Sequence, residues 1–292
     1  MRRGLQATYI NPLTDFGFKK LFGTEHNKEL LIDFLNEIIK EEGCITDISY
    51  LPTEQLGAEE EDRRAVFDIY CTNERGEHFI VEMQNAREPY FVERSLFYAA
   101  FPLRKQAERG NWKFDLKAVY FVGILNFDCF DGDDYIERAH LVRDKNGERF
   151  TDKLNFVYVI LPKFKKTIEQ LETNADRWLY CLKNMATLAS RPAEVQGRVF
   201  EMLFRAAKID KLTKEDMETY KRSVLEYADV RRCTDFAHEQ GFEKGVEKGV
   251  QQGIYEIAQK CVQEGMSFDL IVRLTGLSAE EIRDIDALKA FG

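Results

Sequence analysis

The feature that most restricts the fold is the run LKAVYFVGILNF over 116–127, where Val, Ile, Tyr and Phe follow one another with almost no polar interruption. A half-exposed strand alternates polar and apolar residues. A continuous run predicts a strand covered on both faces, and therefore one lying inside the fold and not at its surface. The stretch from Ala118 to Phe127 is too short to cross a bilayer as a helix, which takes about 20 residues, and no membrane segment is expected. With 292 residues, 44% of them hydrophobic, the chain can bury a core of the size such a strand needs.

Helix and strand patterns surround this run. Leu31, Phe34, Leu35, Ile38 and Ile39 recur at helical spacing and predict a helix over 25–41 that Gly43 stops. A short strand over 45–52, an acidic loop over 54–62 and strands over 66–71 and 78–84 follow. A helix over 92–109 then ends at Gly110 and Asn111, ahead of the buried strand. Beyond it, strands over 135–142 and 154–161 flank an Asp144-Lys145-Asn146-Gly147 turn. The order is α-β-β-β-α-β with extra strands, which predicts an α/β or α+β layer domain.

After Pro162 the pattern turns helical, over 171–188, 193–207 and 214–227. The expected division is a first domain over 1–165, a helical region over 166–232 and a third region over 233–292. That third region contains GFEKGVEKGVQQG, with Gly241, Gly245, Gly249 and Gly253 at every fourth position. On a helix they form one stripe, and each glycine costs roughly 1 kcal/mol relative to Ala. Close approach of another helix would offset that cost, so self-association or close intramolecular packing is expected there. Short helices over 257–264, 268–275 and 279–288 follow, with Ser267 and Ser278 as N-caps and Glu281 completing a capping box. Their arrangement is helix-turn-helix-like, but Ala279-Glu280-Glu281 places carboxylates where a DNA-reading helix presents basic or amide groups. A packing or oligomerisation module is the expected reading.

A formal charge of −9 excludes a protein that coats nucleic acid electrostatically. Local basic groups at Arg63-Arg64, Arg104-Lys105 and 163–166 remain available to line a DNA path. The six cysteines stand singly with no CxxC, and the four histidines show neither HxxxH nor HxH spacing. Zinc and a disulfide framework are both disfavoured, and reduced cysteines fit a cytoplasmic compartment. The first twenty residues show neither a secretory apolar block nor a transit peptide.

The chemistry is concentrated in the first hairpin. Asp68 lies within Val66-Phe67-Asp68-Ile69-Tyr70, and Glu82 within Ile80-Val81-Glu82-Met83-Gln84, both among residues that favour the interior. An unpaired buried carboxylate is costly, so a metal ion or a basic partner must compensate. A three-residue loop Glu74-Arg75-Gly76 would pair Asn73 with Glu77, and counting outward sets Asp68 opposite Glu82. Gln84 then shares their face by period-two alternation. Hard oxygen ligands of this kind suit Mg²⁺ or Mn²⁺ and metal-assisted hydrolysis of a phosphodiester, with Gln84 free to orient water by hydrogen bonding.

Together with this hairpin, the segment NPLTDFGFKKLFG over 11–23 and the ERSLFY helix over 93–98 resemble the PD-(D/E)xK nuclease family transposases, which include the recombination-promoting nucleases (Rpn) of bacteria. The resemblance covers roughly the first 160 residues, and the repeated glycines with the helical tail also look like that family. It implies a restriction-endonuclease-like αβββαβ core and a Mg²⁺-dependent endonuclease acting on DNA, with a link to recombination or mobile elements. The family's acidic and E-x-Q positions fall on Asp68, Glu82 and Gln84. Asp15 would support the site or cap its helix, Lys19 and Lys20 would meet phosphate, and Arg94 and Tyr98 would support the site or fix the helix against the sheet. Gln84 departs from the wider superfamily, where Lys is usual, and Phe67 stands where Pro is common. Gln84, the acidic composition and the glycine-striped tail leave open a weakly active or inactive nuclease fold that binds DNA or assembles into oligomers. RNA or another phosphodiester is a further alternative.

Overall fold

The computed structural model describes residues 7–40, 44–55, 65–107 and 114–288, in two compact units, Met1–Arg231 and Arg232–Gly292. The first is built on a six-stranded sheet. Its strands are β1 (Ile48–Tyr50), β4 (Ile69–Asn73), β5 (His78–Gln84), β6 (Val119–Leu125), β8 (Leu154–Ile160) and β7 (Ile136–His140), in that spatial order. Two further strands, β2 (Glu54–Gln55) and β3 (Ala65–Val66), pair only with each other. β5, β6 and β8 run parallel, whereas β1–β4, β4–β5 and β7–β8 are antiparallel.

Every residue of β6 is buried, as its unbroken apolar run requires. One face of the sheet, including Ile69, Phe79, Val81, Val122 and Val159, packs in a common core with α1 (Asp15–Phe22), α2 (Lys28–Ile39), α4 (Asn174–Asn184) and α5 (Arg198–Ala206). The other face, including Tyr70, Ile80, Phe121, Phe156 and Tyr158, packs with α3 (Phe91–Lys105). Glu82 and Gln84 have the parity of Ile80 on β5 and therefore belong to the α3 side.

Differences from the expected elements have physical causes. The helix over 25–41 is α2, reached through a short 3₁₀ turn, and it ends where Lys40 adopts a left-handed conformation. Gly43, Arg63-Arg64, most of the acidic loop, Arg109 and the Gly110-Asn111 stop lie outside the described residues. The second hairpin forms as β7 and β8, and its Asp144–Gly147 turn has Gly147 at φ +69°. The expected boundary near residue 165 falls inside the first unit, because Trp178, Leu179, Leu182, Phe200 and Phe204 share the core of α1 and α2. Trp178 also donates Nε1–H to Asp33 on α2 at 2.6 Å.

The helices expected over 214–227 and 257–264 belong to one helix, α6 (Lys214–Gln263), which spans the division between the units. In the second unit, Ala258, Cys261 and Val262 of α6 form a small core with Ile271 of α7 (Phe268–Thr275) and Ile282 and Ile285 of α8 (Ala279–Leu288). The Ser278–Glu281 capping box forms in both directions, while Ser267 occupies its cap position without a side-chain bond. The intramolecular partner expected along the glycine stripe is not found among the described residues. A Cβ added at Gly241, Gly245, Gly249 or Gly253 meets nothing within 4 Å.

Tyr90, the residue before α3, is left-handed at φ 61° and 78% exposed. A side chain in that conformation costs about 1–2 kcal/mol, and no apolar burial offsets it here. Tyr90→Gly is expected to raise the melting temperature of the first unit by roughly 2–4 °C, read by calorimetry. An unchanged or lower value would show that Tyr90 is not strained.

Candidate active site

The loop closing β4 and β5 has the expected register. Asn73 N–H donates to the Glu77 carbonyl at 3.0 Å, Gly76 sits at φ +77°, and Ile69 pairs with Val81. Continued by one residue, this register sets Asp68 across from Glu82, but the strand is interrupted there, between β3 and β4. Side chains replace the missing ladder bonds. Asp68 N–H donates to Glu82 Oε1 at 3.0 Å, and Met83 N–H donates to Asp68 Oδ2 at 2.9 Å. Each carboxylate thus spends one oxygen on the facing backbone. Asp68 Oδ1 and Glu82 Oε2 accept no hydrogen bond among the described residues.

Glu82 is only 5% exposed. Burial and then the charge of Asp68 raise its pKa to about 8, against the Asp68 N–H, Arg94 and Lys19. Burial also pushes the Asp68 carboxyl upward, opposed by the Met83 N–H and by Lys19. Two carboxylates held together at such expense fit a cation. Among the described residues no cluster of three or more His, Cys, Asp or Glu side chains is placed to hold a metal. A hard divalent ion taking few protein oxygens and keeping water and substrate oxygens is the kind this pair suits. Gly123 of β6 lies beside Glu82 in the parallel register, and the space a side chain there would take is filled by Tyr158, Phe121 and Leu125, 3.1, 3.3 and 3.5 Å from an added Cβ.

Gln84 does not stand free to orient water. Its Nε2 donates to Glu88 Oε1 at 2.7 Å, and its Oε1 accepts from Arg94 Nη2 at 2.9 Å. Arg94 also pairs with Glu88, and its guanidinium lies 5.6 Å from the Phe91 ring centre and 5.5 Å from that of Tyr98. Arg94 and Tyr98, four residues apart on α3, therefore reach the sheet together. Tyr98 packs edge-on to Phe67 at 5.2 Å; burial and then the charge of Glu82 raise its pKa.

The NPLTDFGFKKLFG segment arrives from the other side. Asn85, just after β5, donates Nδ2–H to the Leu13 carbonyl at 2.7 Å. Thr14 caps α1 by accepting from Gly17 N–H at 3.0 Å. One turn of α1 carries Asp15 and Lys19, whose ammonium lies 2.6 Å from Asp15 Oδ1 and 3.8 Å from Asp68 Oδ1. Burial pulls the Lys19 pKa down, but the bond to Asp15 and the charges of Asp15, Asp68 and Glu82 outweigh it and leave it raised. Lys20 turns elsewhere, to Asp216 of α6 at 2.9 Å.

Asp68, Glu82, Gln84, Arg94, Tyr98, Asp15 and Lys19 thus converge, while Lys20 does not join them. The basic run over 163–166 is partly structural, since Lys163 bonds the Phe130 carbonyl and Asp128 and Lys166 pairs with Asp176. Glu88, Asn85 and Gly123 were missed in the sequence. Only Gly123, breaking an apolar run, carried a signal.

A mixed sheet entered through α1, with one acid on β5 facing another at the break before β4 and an α3 that returns two side chains to them, defines a nuclease-like fold of the restriction-endonuclease kind. The model of the PD-(D/E)XK nuclease family transposases matches residues 12–237, and the chain belongs to that family. No curated protein and no solved structure matches it. Nucleases of this class generally use divalent metal ions. No helix among the described residues is long and apolar enough to cross a membrane.

Proposed function

We propose that this protein is a Mg²⁺- or Mn²⁺-dependent endonuclease that hydrolyses DNA phosphodiester bonds, with Asp68 and Glu82 as the metal-holding residues. The observation that carries this reading is the pair of facing carboxylates, each with one oxygen tied to the opposite backbone and one unbonded among the described residues. A divalent cation bound there would supply an activated water and neutralise charge growing on the phosphate. Gln84 and Glu88 hold the Arg94 guanidinium, whose charge favours the ionised form of both acids. Phe91 and Tyr98 flank it and restrict its rotation. Gln84 is thus a positioning residue in place of the water-orienting group expected from the strand pattern. The family's description as transposases supports a role in recombination or with mobile elements.

Supercoiled plasmid incubated with Mg²⁺ or Mn²⁺ tests this, with chelator controls and a structured RNA as competing substrate. Cleavage is expected only with metal, and Asp68→Ala or Glu82→Ala should each reduce it by roughly 100-fold or more. Wild type and variants that are equally inert, with no metal binding, would replace the reading with a non-catalytic assembly role. Cleavage of RNA alone would change the substrate.

A further inference from the structure

Gln84 brings no positive charge to the site. Arg94 is already committed, its nitrogens to Glu88 and Gln84 and its guanidinium beside two rings. Lys19 is placed differently. Its side chain is 46% exposed, its ammonium lies 2.6 Å from Asp15, and it stands 3.8 Å from Asp68 Oδ1, which accepts no hydrogen bond among the described residues. That distance is too long for a hydrogen bond, yet the attraction between the charges remains substantial. An ammonium carries three N–H donors, so Lys19 retains donors for an incoming anion.

We infer that Lys19, delivered from α1, is a catalytic cation of this site: it faces Asp68 before metal binds and donates to a non-bridging oxygen of the bound phosphodiester. Asp15 is its positioning residue, one helical turn back, holding the ammonium short of full contact with Asp68. This inference rests on the nuclease reading of the same carboxylates.

A positive charge beside a metal-binding carboxylate has two opposite effects. It repels the divalent ion, and it stabilises the extra negative charge that the phosphodiester develops in the transition state. A merely structural lysine would not separate these effects, because its loss would loosen the site and weaken both.

The experiment is Mn²⁺ titration by calorimetry on the full chain, beside plasmid cleavage at saturating metal. Lys19→Met is expected to bind Mn²⁺ several-fold more tightly and to cleave about 100-fold more slowly. Lys19→Arg should keep Mn²⁺ affinity near wild type, since the charge remains, yet cleave more slowly because a planar fork replaces a point charge. Asp15→Asn, which releases the ammonium towards Asp68, should weaken Mn²⁺ binding. Lys20→Met, whose partner is Asp216, should change neither reading. If Lys19→Met binds Mn²⁺ no more tightly than wild type, or cleaves at the wild-type rate while Asp68→Ala does not, the inference fails and the nuclease reading survives. If wild type itself never cleaves, both fail together.

Discussion

Glu82→Gln is expected to abolish metal-dependent cleavage and, at the same time, to stabilise the metal-free protein in alkaline solution. Both effects come from one buried carboxylate. Its pKa stands near 8 in the fold against 4.5 for a free glutamate, so folding favours the protonated form. Below about pH 4.5 the group is protonated in both states and imposes no penalty. As pH rises from there to about 8, the unfolded chain ionises while the folded protein resists, and stability is lost. Above pH about 8 the loss, on the order of a few kcal/mol, is complete. Glutamine removes that slope while keeping an oxygen to accept the Asp68 N–H.

Denaturant titrations of both proteins at pH about 4 and about 9, each with chelator, provide the measurement. The variant should match wild type at the lower pH and exceed it at the higher. Metal binding should show the reverse dependence in wild type, strengthening through pH 8 as the bound proton becomes easier to displace. A variant less stable than wild type at pH 9 would mean that Glu82 is held ionised by its neighbours, and that the Asp68–Glu82 pair needs no further cation.

What could be read from the sequence here was local, and what could not depended on distant partners. The facing of Asp68 and Glu82 followed from the loop length and from Gly76, which adopts the positive φ such loops require. The interruption at Asp68 was hidden, because it arises when carboxylates substitute for backbone bonds across the hairpin. Gln84 was placed on the right face but in the wrong company: Glu88, on an irregular connection, has no periodicity to reveal it. The helices after residue 165 read as a separate region because their apolar faces are visible, whereas the partner of Trp178 lies on α2, 145 residues earlier. The segments over 214–227 and 257–264 read as separate helices, yet with the glycine stripe between them they run through as one helix of 50 residues.

The NPLTDFGFKKLFG segment is legible as a motif, and the structure shows why its glycine matters. A Cβ on Gly17 would stand 2.0 Å from the Asn11 carbonyl oxygen and 2.8 Å from Thr14 Oγ1. Neither atom can retreat easily. The Asn11 oxygen accepts from Thr14 Oγ1 at 2.8 Å, Asn11 N–H donates to the Tyr220 hydroxyl at 2.9 Å, and Thr14 Oγ1 is itself the cap of α1. A methyl group there must tip α1 away from the turn, at a cost of about 3 kcal/mol or more. Asp15 and Lys19 ride on that helix, so Gly17→Ala should lose cleavage as well as stability. Gly245→Ala provides the contrast: its added Cβ meets nothing within 4 Å, and an exposed helix interior gains roughly 1 kcal/mol from the exchange. Denaturant unfolding of the two variants should therefore move in opposite directions from wild type. A Gly17→Ala protein as stable and active as wild type would show that the Asn11–Thr14 turn does not set the position of α1, and that Lys19 reaches Asp68 by side-chain freedom instead of by the helix that carries it.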